Sequence, residues 1–242
     1  MEGRQAVREL LRAGTRPVRQ LYVAEGIGPS DPLAEILDLA AAAGVAARWA
    51  SREQIASMAG TEAPQGVVAL AGPLREWSLE DLLAVPDAFL VALDGVTDPH
   101  NLGAVMRSAL CAGATGVVIG RHRSASLSPA AMKAAAGAVE HLPVAAVTGI
   151  PAALQTMVGS GMWTIGLDAR GTTGIWELTV ATEPVAVVLG AEGRGLSPLC
   201  RSRCDLVASI PLSGPLDSLN VSAAAALACF EVARRRAADR TN

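Results

Sequence analysis

The chain has 242 residues, 51% of them hydrophobic and 18% charged, with a formal net charge of −3. A sizeable core can be buried, yet no apolar run reaches the ~18–20 uncharged residues of a membrane-spanning helix, and the charged opening "MEGRQAVRELLRAG" lacks the apolar centre of a signal peptide. The chain therefore reads as soluble and cytoplasmic, and its four scattered cysteines and three isolated histidines argue against a disulfide framework and against a metal site.

Residues 1–72 have the pattern of a small α/β unit. "GRQAVRELLRAG" places Val7, Leu10 and Leu11 on one helical face and stops at Gly14. "VRQLYVAEG" reads as a strand, and "DPLAEILDLAAAAG" as a helix capped by Asp31 with Pro32 in its first turn. "VAARWA" is a further strand, "SREQIASMAG" a short helix opened by Ser51, and "QGVVALAG" a buried strand. Residues 73–87, rich in Pro, Trp and acidic side chains, read as a linker.

From residue 88 to 242 short Val, Ile and Leu strands alternate with helices: "AFLVALDG", "NLGAVMRSALCAG", "TGVVIG", "SPAAMKAAAGAVE", "LPVAAVTG", "IPAALQTMVGSG", "MWTIGLDA", "PVAVVLG", "SPLCRSRCD", "LVASIPL" and a long Ala-rich C-terminal helix. Strands with little alternation are buried on both faces, and intervening helices imply a parallel sheet. In such sheets ligands bind beyond the carboxyl ends of the strands.

Three of the loops at those ends are unusually polar. After "FLVAL" come Asp94, Gly95, Thr97, Asp98, Pro99 and His100, then Asn101 as a candidate cap of the next helix, with Arg107 nearly two turns further on. After "VAVVL" comes "GAEGRGLS", a G-x-x-G-x-G spacing with Glu192 inside it. That spacing is neither the dinucleotide G-x-G-x-x-G nor a phosphate loop, and an acid there suits a cation or a neutral adenosine better than a pyrophosphate. After Ile210 and Pro211 come Ser213, Gly214, Asp217, Ser218 and Asn220, more polar residues than the cap of the final helix by Asn220 or Ser222 requires.

The charge distribution adds local basic clusters to an acidic chain: Arg4, Arg8, Arg12, Arg16 and Arg19; Arg121-His122-Arg123; Arg194 with Arg201 and Arg203; and Arg234–Arg236. Such clusters meet phosphates or decorate a surface, and sequence alone does not separate the two.

Taken together and in order, "DPHNLGAVMRSA", "LGAEGRGLS" and "IPLSGPLDSLNVSAAAA" resemble the three signature motifs of the SpoU-type RNA ribose 2′-O-methyltransferases. "GRQAVRELLRAG", "LYVAEG" and "QGVVAL" resemble the small ribosomal-protein-like RNA-binding domain of the bacterial 23S rRNA guanosine enzymes of that family. The resemblance implies an α/β fold whose parallel-sheet catalytic domain, residues 88–242, carries a deep trefoil knot and follows a small substrate-binding domain. It implies S-adenosylmethionine as methyl donor, with Leu189, Gly190, Gly195, Ile210 and Leu219 holding it. Asn101, Arg107, Glu192, Ser218 and Asn220 match the catalytic and RNA-facing positions, and Arg4, Arg8 and Arg12 fall in the RNA-binding unit. It also implies a homodimer in which Arg107 acts in its own subunit or on the partner's donor.

Under this resemblance Arg107, which stays protonated, clamps a phosphate or a developing alkoxide rather than serving as a base. Glu192 orients Asn101 or Arg107, or balances a sulfonium charge. The expected partner is structured RNA, rRNA first, with no membrane and no metal. The competing expectations are a tRNA or antibiotic-resistance rRNA methyltransferase and a non-catalytic RNA-binding protein of the same fold.

Overall fold

The computed structural model describes residues 1–28, 30–61 and 64–240. Its N-terminal unit runs α1 (Arg4–Ala13), β1 (Val18–Ala24), α2 (Asp31–Ala42), β2 (Ala47–Ala50), α3 (Arg52–Met58) and β3 (Val67–Ala71). The strands order as β2-β1-β3, with β2 parallel and β3 antiparallel to β1. Leu21 and Val23 of β1 meet Val7 and Leu10 of α1 and Ile36 of α2 in a separate small core. Asp31 lies inside α2 rather than at its cap, because Ser30 holds the extended cap conformation and Pro32 is preset for the first turn.

The segment 73–87 carries helix α4 (Leu79–Leu83), opened by a reciprocal capping box between Ser78 and Asp81. Leu79 and Leu82 are buried on one face of the large sheet, and Arg75 stacks on Trp77 at 3.6 Å. The stretch read from sequence as a linker thus packs against the body that follows.

That body runs β4 (Phe89–Asp94), α5 (Pro99–Cys111), β5 (Gly116–Gly120), α6 (Pro129–Ala134), β6 (Val144–Val147), α7 (Ile150–Gly159), β7 (Trp163–Leu167), β8 (Thr173–Gly174), β9 (Val185–Gly190), α8 (Pro198–Arg203), β10 (Leu206–Ser209) and α9 (Val221–Asp239). The seven strands form one parallel sheet in the order β6-β5-β4-β9-β7-β10-β8. Alternate residues of β4 enter two different clusters. Phe89, Val91 and Leu93 pack with α5 and α9, while Leu90 and Ala92 pack with α7 and α8. Burial on both faces explains the uninterrupted apolar runs. Among the described residues no helix is long and apolar enough to cross a membrane.

"SPAAMKAAAGAVE" is not one helix. It breaks after Ala134, with Ala136 and Gly137 at φ of 51° and 90°, and resumes as a short 3₁₀ turn over Ala138–Glu140. Gly137 supplies the left-handed turn, and its missing side chain lets Glu9 of α1 approach, since a Cβ there would collide with it. Around that break Arg16 pairs with Glu140 at 2.6 Å, with side chains 11% and 0% exposed, and His141 meets Glu9 at 3.0 Å.

Candidate active site

Strands β4 and β9 run side by side in register, Asp94 opposite Gly190, so the loops that follow them leave the sheet together. On one side of this pair lie β5 and β6, and on the other β7 and β10. Such a reversal of strand order opens a crevice at the carboxyl edge.

The first loop starts α5 two residues earlier than the sequence suggested. Pro99 has no N–H to leave unpaired and its φ suits the first turn, so the cap is Asp98, whose carboxylate accepts from the His100 N–H at 2.8 Å. Asn101 is thereby freed from capping and sits inside the helix, only 7% exposed. Its Nδ2 donates to Glu192 Oε1 at 2.7 Å and to Asp98 Oδ2 at 3.2 Å.

From the third loop Asn220 reaches the same carboxylate. Its Nδ2 donates to Glu192 Oε1 at 2.7 Å and to Asn101 Oδ1 at 3.2 Å, while its Oδ1 caps α9 by accepting from the Ser222 N–H at 2.9 Å. One residue of each polar loop therefore meets in a single hydrogen-bonded cluster. Glu192 bonds Asn101 and Asn220 and makes no bond to Arg107, and its Oε2 has no hydrogen-bond partner among the described residues.

The glycines of the second loop serve its own turn. A side chain on Gly190 would strike the backbone of Gly195, which itself sits at φ 67° and donates its N–H to Ala191 O at 2.8 Å. Asp94 locks the loop's far end by accepting from the Ser197 N–H at 2.7 Å, and Ser197 in turn caps α8. Sequence reasoning placed Asp94 and Asp98 in the loop without a task. The Asp-Pro pair at 98–99, a cap followed by a first-turn proline, was the available signal for Asp98.

The other expected site residues scatter around this cluster. Leu189 is buried in β9 and Ile210 is half-buried just beyond β10. Residues 211–220 are exposed throughout, with the apolar side chains of Leu212, Leu216 and Leu219 at 39, 76 and 42% exposure. Among the described residues the only side-chain partner of Ser218 is Asp217 at 3.5 Å. Arg107 is exposed on the α5 face that also carries His100, Ala104 and Cys111, and it has no partner among the described residues. It makes no hydrogen bond to the asparagine–glutamate cluster among the described residues, and six residues of helix, about 9 Å of rise, separate it from Asn101.

The N-terminal arginines are engaged internally. Arg4 donates to Gln65 O at 3.3 Å and Ser30 Oγ at 3.1 Å. Arg8 pairs with Glu35 at 3.3 Å, and Arg12 with Glu9 at 3.0 Å and with Glu35. None of the buried thiols is poised as a nucleophile, since burial pushes Cys200, Cys204 and Cys229 up to about 12.

Residues 88–230 match the SpoU rRNA Methylase family, and residues 1–77 match a family described as RNA 2′-O ribose methyltransferase substrate binding. The chain belongs to the SpoU rRNA methylase family. An uncharacterized tRNA/rRNA methyltransferase of Mycobacterium ulcerans is 41% identical over 238 residues, covering 97% of this chain and 76% of that protein. Among solved SpoU-type structures, the methyltransferase AviRb from Streptomyces viridochromogenes superposes with a TM-score of 0.81 at 25% identity, covering 100% of this chain and 91% of that one. The AdoMet-bound rRNA methyltransferase from Sinorhizobium meliloti gives 0.79 at 25% identity, covering 97% and 86%. The three polar loops all fall within the stretch that matches the SpoU methylase family.

Proposed function

We propose that this RNA 2′-O-ribose methyltransferase acts on a guanosine of 23S rRNA, as a homodimer, with the Asn101–Glu192–Asn220 cluster at its reaction centre. The observation that carries the reading is that cluster itself, in which loops from β4, β9 and β10 converge through side chains at 2.7–3.2 Å. Stretches of sequence 91 and 119 residues apart are held in one place without serving the core.

The methyl donor is S-adenosylmethionine, which supplies an electrophilic methyl on a sulfonium centre. The residues present fit such a guest. Leu212, Leu216 and Leu219 are apolar side chains left uncovered beside a polar cluster, which suits a ligand with an apolar flank and polar edges. In this reading the backbone near Leu189, Gly190, Gly195, Ile210 and Leu219 holds the donor, and the uncommitted Oε2 of Glu192 offers a negative charge to a cation. Ser218, exposed next to Asn220, faces the ribose. Buried and bonded at both ends of its amide, Asn101 fixes the carboxylate rather than moving a proton.

Arg107 cannot accept the proton of the ribose hydroxyl, because a guanidinium stays charged. Its place in this reading is to hold a phosphate or the developing alkoxide. The exposed face that bears it, His100–Ala104–Arg107–Cys111 on α5, adjoins a second exposed stripe on α9, Ala223–Leu227–Phe230–Arg234, and the two helices pack together. An apolar stripe of that kind suits a second copy of the chain, across which Arg107 reaches the partner's donor. The domain division at residues 73–87 and the deep knot belong to the same reading.

Mapping ribose methylation after incubation with 23S rRNA and with tRNA tests the assignment. One modified guanosine in 23S rRNA is expected, and modification of tRNA alone overturns the rRNA reading. Arg107→Ala is expected to abolish turnover while calorimetry finds donor affinity near that of the parent, and unchanged turnover removes its role. Light scattering is expected to give twice the chain mass, falling to one in Phe230→Asp.

A further inference from the structure

Four basic clusters stand out in the sequence, and the structure engages most of their arginines. Arg8 and Arg12 of α1 pair with Glu9 and Glu35, and Arg16 just beyond the helix pairs with Glu140. Arg234 and Arg235 bracket Glu231, and Arg236 donates to four backbone carbonyls. Arg201 pairs with Asp168 at 2.9 Å, while Arg19, Arg194 and Arg203 each stand singly without a side-chain partner among the described residues. Arg121-His122-Arg123 differs. All three side chains are exposed, and no acidic group among the described residues pairs with either arginine. Among the described residues their one side-chain hydrogen bond runs from Arg121 Nε to Ala146 O at 3.0 Å, which leaves the outer nitrogens of that guanidinium and the Arg123 side chain without a partner there.

The loop's position is fixed. It follows β5, the neighbour of β4, so it leaves the same carboxyl edge as the active-site loop. Arg121 N–H donates to Val147 O at 2.8 Å on one side. On the other, Ala125 N–H donates to Val96 O at 2.8 Å and Ser124 Oγ to the same oxygen at 3.3 Å. Val96 is two residues from Asp98, hence within about 7.6 Å of it along the chain. Arg123 sits at φ 55°, a left-handed conformation that long side chains rarely adopt, and strain of this sort gathers at functional sites. Asp94, Asp98 and Glu192 accept from Ser197, from His100 and Asn101, and from Asn101 and Asn220, and among the described residues none of them forms an ion pair with Arg121 or Arg123.

We propose that the Arg121–Arg123 loop is a second RNA contact, which grips the phosphate backbone of the substrate strand next to the target ribose. The proposal rests on the methyltransferase reading and adds a site to it. A pair of free guanidiniums on a braced loop beside the reaction centre suits phosphate oxygens, and it carries no base selectivity of its own. The loop acts on binding and orientation, separately from the N-terminal unit.

The test uses the full-length enzyme and whichever of 23S rRNA and tRNA the parent methylates. Arg121→Ala/Arg123→Ala is expected to raise KM for the RNA by about 10-fold or more with kcat at saturation little changed, the mark of lost uniform binding. The log–log dependence of RNA affinity on salt becomes shallower by about 1.4 for two lost phosphate contacts on a single strand. Donor affinity by calorimetry stays at the parent value. Arg121→Lys/Arg123→Lys recovers most of the affinity, because charge rather than a fork geometry is being read. Arg123→Gly relieves the left-handed strain, so its weaker RNA binding together with an unchanged or higher Tm separates grip from folding. Parent-like KM and salt slope in the double Ala variant overturn the proposal, as does a fall in kcat at unchanged KM. If the parent methylates neither RNA, the methyltransferase reading fails first and the inference falls with it.

Discussion

Helix α1 and the loop after β5 both bring arginines close together, and in sequence they look alike. Arg8 and Arg12 of α1, and Arg16 just beyond it, each have a carboxylate within reach. Glu9 lies on the helix itself, Glu35 comes from α2, and Glu140 comes from a turn 124 residues away. In the β5 loop Arg121 and Arg123 are exposed and form no ion pair among the described residues. Basic spacing therefore says little about nucleic-acid contact until the partners are known. The first set builds the particle and the second is available to a substrate.

This contrast can be broken by removing the engaged arginines one at a time. Arg16→Ala leaves the carboxylate of Glu140 buried without its partner, which should cost about 3–5 kcal/mol, or roughly 6–20 °C in Tm for a chain of this size, by calorimetric melting. Arg236→Ala strips a donor from the carbonyls of Asp87, Ala88, Ala181 and Glu183 and should cost about 2 kcal/mol in urea unfolding.

Arg201→Ala should have a smaller, pH-dependent effect. Burial pushes the Asp168 carboxyl up, but the Arg170 backbone N–H and the charge of Arg201 outweigh it and hold the group below its usual value. A depressed acid stabilises the fold above its unfolded value of about 3.9 and loses that contribution as pH falls through the lower folded value. The stability gap between parent and Arg201→Ala should thus be level near neutrality and close below about pH 3.9 in acid titrations of unfolding. The smallest effect is expected from Arg8→Ala/Arg12→Ala, with almost no change in the salt slope of RNA binding. A slope as shallow as that of the Arg121/Arg123 double variant would erase the distinction between the two regions.

Much of the fold could be read in advance, because burial on both faces writes itself into strands such as "FLVAL" and "VAVVL" as unbroken apolar runs. The convergence of Asn101, Glu192 and Asn220 was anticipated through the order of three motifs, though their spacing gives no distance between them. Three features were hidden for physical reasons. The close approach of Glu9 to Gly137 comes from another unit, and no helix propensity encodes it. The start of α5 turned on a contest between Asp98 and Asn101 that Pro99 decides. The pairing of Arg16 with Glu140 joins positions whose separation leaves no local trace.

The gap at Gly137 has a mechanical consequence. With α1 keyed against it and a sealed ion pair beneath, the N-terminal unit is a fixed jaw rather than a tethered hand. An RNA that touched both units would meet them at one fixed separation.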